Sequence, residues 1–393
     1  MTCSRCWTYM RKFWIIAGEA SGDMYGARLG RELIAIGQEQ GREVKVAGMG
    51  GPAMMAAGFD IRVDSTELGV MGVIEVMKLI FTFIRIFFSL VRSAIKERPD
   101  AVILIDYPGF NLLFALMMYF NKIPVIWYVC PHLWVWGKWR LPVLAKICSK
   151  MLVIFPFEPD VFAKTRLRAE FVGHPLLDII AEKRDCAIRR DPGLFLLLPG
   201  SRSMEISRLM KPMLETVREL AAKHPELRFV LSAPREKVAN HCREIYEDFC
   251  RRHPDAPQIE FVVGETTRYQ QQAGTGLAAS GTVTVESAIA GLPLVVVYKL
   301  NTVTLLLASL VVRLYRGYFT MVNIIADKTV FEEFLQWDVR PDKLVPAIEK
   351  ILPGGTRRAE VEAEMAEVVQ LLSPQSSSAI RQAAEACYAI EPK

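Results

Sequence analysis

Residues 13–23 read FWIIAGEASGD. The apolar stretch Phe13 to Ala17 stops at glycine, and Glu19 and Asp23 follow at once. A short, wholly apolar run ended by glycine is the pattern of a strand buried on both faces of a parallel sheet. In such sheets the loops at the carboxyl ends of the strands carry the functional groups. The stretch therefore predicts a strand, a tight turn permitted by Gly18 and Gly22, and a helix over Met24 to Ile36 capped by Ser21 or Asp23. Glu19 is left at the mouth of a cleft. The G-x-G-x-x-G spacing is absent, so the turn is not a dinucleotide fingerprint.

Outward from this stretch the same alternation recurs. KFWIIAG, EVKVAGM, AVILIDY, PVIWYVC, MLVIFPF and AEFVG read as strands in the first half; LFLLLPG, RFVLSA, IEFVVG, TGLAAS and PLVVVYKL do so in the second. Helix-sized segments separate them. The pattern predicts an α/β chain with two βαβ domains facing each other across a cleft. The charged stretch AEKRDCAIRRDPG at 181–193 marks the break. This gives a first domain over 1–182, a second over 193–352 and a helical tail over 353–393. The sequence leaves open whether the tail packs on its own first domain or on that of a second copy in a homodimer.

A chain of 393 residues, half of them apolar, can bury more than one core. A net charge of +5 is mild for this length and does not argue for nucleic acid. Cys130, Cys148, Cys242, Cys250 and Cys387 stand singly in apolar or helical settings, as reduced thiols of a cytosolic protein do. Cys3 and Cys6 form a C-x-x-C without a second pair at zinc spacing, so no metal site is expected. The first apolar run follows Arg11 and Lys12 and lacks a small-residue cleavage site, so no signal peptide is expected.

The segment from Val70 to Lys96 is long and apolar, but Glu75, Lys78, Arg85 and Arg92 interrupt it. With Thr82 and Ser89 they form one narrow, mostly basic stripe on a helix. Two readings stand: a helix buried on most of its circumference, or one resting in a membrane interface with Lys78, Arg85 and Arg92 toward lipid phosphates. A second apolar run from Thr302 to Phe319 also ends in arginines.

Two loops in the second half suit a diphosphate. In LFLLLPGSRSMEI (194–206) a strand ends at Pro199, Gly200, Ser201 and Arg202 before a helix bearing Glu205, offering backbone N–H groups and a guanidinium to phosphate oxygens. In AASGTVTVESAIAGLPLVVVYK (278–299), Ser280, Gly281 and Thr282 precede a helix with Glu286 one turn in, where a carboxylate suits the hydroxyls of a ribose.

The series AGEASGD, LGVMGVIEV, IDYPGFN, YVCPHLWVW, FVGHPLLD, LLPGSR, ASGTVTVESAIAGLPLVVVY and NIIADKTVFEEFLQ resembles bacterial lipid-A-disaccharide synthase, in that family's order over nearly the whole chain. The resemblance implies a GT-B fold of two Rossmann-like domains, no metal and no cofactor. It implies transfer of 2,3-diacylglucosamine from UDP-2,3-diacylglucosamine to 2,3-diacylglucosamine 1-phosphate, giving the β-1,6-linked disaccharide 1-phosphate and UDP. It also implies a cytoplasmic place, peripheral to the inner membrane. By the same resemblance Asp106 is the first choice for the base and Glu19 the second, Arg202 steadies the β-phosphate, and Glu286 holds ribose. Asn323 matches a family asparagine at the cleft, and Gly200, Ser201, Ser280, Gly281 and Thr282 complete the UDP loops. Gly18, Ser21 and His132 fall on the acceptor side with the basic stripe.

The chain departs from the family pattern in places. Gly109 stands where a second acidic residue is expected, Cys130 and His132 where serines are common, and the proline before Asn323 and the glycine after Ala326 are missing. His132 and His174 each adjoin a proline in an apolar block, which favours loop ordering or a phosphate contact over a base. The rivals are another UDP-sugar enzyme on the same fold, such as a UDP-GlcNAc 2-epimerase or a transferase with a soluble acceptor, and a catalytically silent membrane-associated nucleotide-binding protein.

Overall fold

The computed structural model describes residues 10–65, 76–131, 138–299, 317–375 and 378–390. Cys3, Cys6, Glu75, His132 and positions 302–316 lie outside them, as do the side chains of Lys78 and Thr82. The chain divides into two compact units: Met1–Asp178 with Leu372–Lys393, and Ile179–Leu371.

In the first unit the described strands are β1 (Arg11–Ala17), β2 (Val44–Gly50), β3 (Asp60–Asp64), β4 (Ala101–Ile105), β5 (Val125–Tyr128), β6 (Lys150–Val153) and β7 (Ala169–Phe171). They form one sheet in the order β3-β2-β1-β4-β5-β6-β7. All its pairings are parallel. Helices cover both faces, so strands such as AVILI in β4 are apolar throughout and fully buried. The order reverses between β1 and β4, and a crevice for ligands opens at the carboxyl ends of two strands so related.

The second unit repeats the plan with β8 (Asp191–Leu198), β9 (Arg228–Ala233), β10 (Ile259–Val263), β11 (Ala273–Ala279), β12 (Leu294–Tyr298) and β13 (Glu332–Leu335). Their order is β10-β9-β8-β11-β12-β13, again all parallel, with the reversal between β8 and β11.

The first helix runs over Ala20–Glu39, longer at both ends than the sequence pattern predicts. Glu19 is its N-cap residue, without a side-chain bond, and Ser21 and Asp23 lie inside its first turns. The long apolar segment appears as a helix over Val76–Glu97. Leu90, Val91 and Ala94 are buried in the core, and Phe83, Ile86, Phe87 and Ile95 pack against it. The opposite face is exposed and carries Arg85, Ser89 and Arg92 together with Ile84 and Phe88.

The expected boundaries differ from this division in two respects. The stretch 181–193 is not a free linker: Asp185 N–H donates to Gln271 Oε1 at 3.1 Å, and the Arg190 guanidinium donates to the carbonyls of Ala273 (2.5 Å) and Ala290 (2.6 Å). These bonds fasten it to the second unit. Nor is 353–393 one tail. The helix Arg358–Leu372 belongs almost wholly to the second unit, whereas Ala379–Tyr388 returns to the first and packs on Ala20–Glu39.

Both ends of that returning helix are clasped. At its start Asp178 accepts from Ser378 Oγ (2.9 Å) and Ile380 N–H (2.8 Å). At its end the buried Arg11 guanidinium donates to the carbonyls of Tyr388 and Ile390, both at 2.7 Å. The same guanidinium lies 5.1 Å from the Phe13 ring centroid and 4.7 Å from that of Tyr388. A cation among such partners satisfies carbonyls that a helix end otherwise leaves bare.

Candidate active site

At the switch point of the first unit, β1 delivers Gly18 and Glu19, and β4 delivers Asp106. Glu19 is exposed and makes no capping bond. Asp23, the other acid of the motif, is buried and faces away from this function. Its Oδ1 accepts from the N–H groups of Gly51 (2.7 Å) and Met54 (3.0 Å), and Oδ2 from Ala53 (2.9 Å). It thus caps the short helix Pro52–Ala56 after β2, not its own helix.

Asp106 and Tyr107 both have left-handed backbone, φ +47° and +46°. Two adjacent non-glycine residues there carry about 1–3 kcal/mol of strain each. Asn111, in the helix Pro108–Phe120, holds the turn: its Nδ2 donates to the carbonyls of Asp106 (2.7 Å) and Ile105 (3.2 Å). Burial, then the charge of Glu19, raises the Asp106 carboxyl to about 6, against a smaller opposing bond from Tyr107 N–H. Over Gly18 lies the Tyr107 ring; a Cβ on Gly18 would fall 2.3 Å from two of its carbons.

The same edge continues with buried groups held in neutral form. Burial pushes the Cys130 thiol far up, and the Glu158 carboxyl up to about 8 although it accepts from Ile154 and Phe155 N–H. His174, buried against Phe155, is pushed down to about 3 and accepts from Leu176 N–H at 3.2 Å. That pins His174 as a loop-ordering residue rather than a base.

At the switch point of the second unit, Gly200, Ser201 and Arg202 follow β8, and Ser280, Gly281 and Thr282 follow β11. Gly200 takes φ +102°, and a Cβ there would meet Glu205 Oε2 at 2.3 Å. Ser201 and Arg202 are exposed, and Arg202 is the N-cap residue of the helix Ser203–Lys223. The Glu205 carboxylate lies close against this turn. Burial raises the Glu205 carboxyl, opposed by the Arg202 charge and by the neighbouring N–H groups of Ser201 and Arg202. Tyr298, at the end of β12, was not singled out by sequence. Its phenol is raised by burial and the Glu205 charge, and lowered by Arg202 and Arg208.

Glu286, half-buried in the helix Thr282–Ile289, is raised chiefly by burial, with Lys183 and a bond from Gln270 opposing. Gln270 is itself buried and donates to Ser287 Oγ at 3.0 Å. Asn323 differs most from expectation. Its Oδ1 accepts from Val330 and Phe331 N–H, both at 2.9 Å, and its Nδ2 donates to Phe331 carbonyl (2.8 Å) and Glu333 Oε1 (2.9 Å). Fully buried, it has no side-chain bonding capacity left for a nucleotide. Among the described residues no group of three or more His, Cys, Asp or Glu is arranged to hold a metal ion.

The profile of the family described as lipid-A-disaccharide synthetase matches residues 13–387. The chain belongs to that family. The lipid-A-disaccharide synthase of Paramagnetospirillum magneticum is 35% identical over 384 residues, covering 95% of this chain and 96% of its own. That of Syntrophus aciditrophicus is 34% identical over 358 residues, with 89% and 91% covered. Solved structures share the fold at low identity. The UDP-GlcNAc 2-epimerase of Neisseria meningitidis bound to UDP-GlcNAc superposes with a TM-score of 0.63 at 12% identity, covering 96% of this chain and 98% of its own. The glycotransferase of kitacinnamycin gives 0.62 at 18%, covering 97% and 99%. The lipid-A-disaccharide synthetase fold is thus GT-B, two Rossmann-like units with a switch point in each.

Proposed function

We propose that this chain forms the lipid A disaccharide by moving 2,3-diacylglucosamine from its UDP derivative to 2,3-diacylglucosamine 1-phosphate. The observation that carries the reading is the family match over residues 13–387, with Asp106 at the switch point of the first unit. The acceptor 6-oxygen attacks the anomeric carbon, the bond from that carbon to the β-phosphate oxygen breaks, and the configuration inverts. UDP departs and the hydroxyl proton passes to the Asp106 carboxylate. A carboxyl near 6 is largely ionised at neutral pH, yet it is a stronger base than an ordinary aspartate. Glu19 supports this role by its charge, which raises Asp106. Arg202 takes up charge on the leaving diphosphate, together with Ser201 and the Ser280–Thr282 turn. Glu286 holds ribose; Asn323 acts by fixing its loop through Glu333.

Both substrates carry acyl chains, so the enzyme works from a bilayer surface. No helix of the described residues is long and apolar enough to cross a membrane. The exposed Phe88 (59%) and Ile84, on the helix that carries Arg85 and Arg92, together with the exposed Leu113, Phe120 (67%) and Trp139 (71%) of the same unit, suit an interfacial contact. Incubating the purified protein with both lipid substrates tests the reading. A disaccharide 1-phosphate by mass spectrometry supports it; epimerised UDP-GlcNAc and no disaccharide would overturn it.

A further inference from the structure

We infer that Tyr107 is a floor for the acceptor sugar, and that Gly18 is glycine to let this ring lie at the switch point. The inference rests on the acceptor reading proposed above. The ring lies over the Gly18 α-carbon so closely that any side chain there would enter it. Gly18 has no positive φ, so its backbone does not require glycine; the ring does. Tyr107 is turned to this place by the left-handed pair at 106 and 107, which Asn111 locks from behind. Its ring is further backed by Phe110, whose centroid is 5.8 Å away, and Phe110 is buried against Phe114 and Phe87. A half-buried aromatic ring therefore directly follows Asp106 in the chain, covers Gly18 and lies within reach of the charge of the exposed Glu19 carboxylate.

A glucosamine ring has one face lined by C–H groups. Such a face gains by covering a flat aromatic ring, while its hydroxyls stay free for the charged neighbours. The Tyr107 phenol is pushed up by burial and by the Glu19 charge, so it remains protonated and neutral beside that carboxylate. The platform thereby adds no further negative charge to a site where the acceptor phosphate, Glu19 and Asp106 already bring theirs.

The experiment measures steady-state kinetics with both lipid substrates varied in turn. Removing about 50 Å² of apolar contact in Tyr107→Ala should raise the acceptor KM about fivefold to tenfold and leave the donor KM unmoved. Tyr107→Phe should recover most of the acceptor affinity, and Tyr107→Leu, apolar but not flat, should not. Gly18→Ala should mimic Tyr107→Ala by displacing the ring, and should add nothing in the Tyr107→Ala background. An acceptor KM unchanged in Tyr107→Ala, equal rescue by Leu and Phe, or additive losses in the double variant would each overturn the inference. Failure of the parent protein to make disaccharide would instead overturn the function on which it rests.

Discussion

Replacing Asp106 by Asn should make the protein inactive and more stable at once. Lost proton acceptance lowers turnover by about two to four orders of magnitude, with donor binding nearly intact. The stability gain follows from the environment that raises the carboxyl from 3.8 to about 6. Because the folded value is the higher one, the native state binds a proton that the unfolded chain has already released between those pH values. Stability therefore falls as pH rises through that window, and the penalty is complete above about pH 6. A gap of this size corresponds to about 3 kcal/mol, an upper bound. Chemical denaturation followed by fluorescence of the buried Trp14 and Trp127 reports on this unit. The variant should exceed the parent by about 1–3 kcal/mol at pH 7.5, and the advantage should vanish near pH 4. A variant less stable than the parent at pH 7.5, or a difference that ignores pH, would refute the argument. The activity of the parent should show an acid limb near pH 6, displaced downward in Glu19→Gln.

Arg202→Ala should lower turnover and UDP affinity together, with only partial recovery in Arg202→Lys because an ammonium lacks the planar fork; full recovery would show that charge alone suffices. Changing Lys78, Arg85 and Arg92 to Gln should weaken binding to anionic liposomes by about 3 kcal/mol at most, and less in high salt; co-sedimentation equal to the parent's would remove the membrane role. Asn323→Ala should lower the melting temperature as well as donor affinity, since it strips paired backbone groups; a loss of affinity with unchanged melting would restore a direct nucleotide contact. Arg11→Leu should destabilise the first unit by about 2–4 kcal/mol by leaving the Tyr388 and Ile390 carbonyls unpaired, which urea melts would detect.

The strands that position the site were legible because they are buried on both faces, and unbroken apolar runs such as AVILI record that burial directly. β3, reading DIRVD, and β13, reading EEFL, lie at sheet edges and are half-exposed, so they carry no such run. Asp106, Glu19, Gly200 and Ser280 were visible as the residues that follow strands, since the ends of strands need only local sequence to be found. What those residues bond to was less visible. Asp23 serves N–H groups on Gly51, Ala53 and Met54, and Asn323 serves Val330 and Phe331 through a turn that no spacing rule specifies. Glu205 was noted beside its loop, but its close approach to Gly200 depends on the side chain folding back. The return of Ala379–Tyr388 was hidden for a further reason: its clasps, Arg11 and Asp178, are far away in the chain.

That return sets an order on biosynthesis. A ribosome releases β1 to β7 first, but the cover for Phe13 and the outer face of Ala20–Glu39 is encoded after the whole of the second unit. At 5–20 residues per second the gap is roughly 10–40 s. The second unit, continuous from Ile179 to Leu371, can close within that interval. The first waits with apolar surface uncovered until Tyr388 has cleared the exit tunnel and Arg11 can take its carbonyl. In the nascent chain the amino-terminal unit, begun first, is therefore the last to finish.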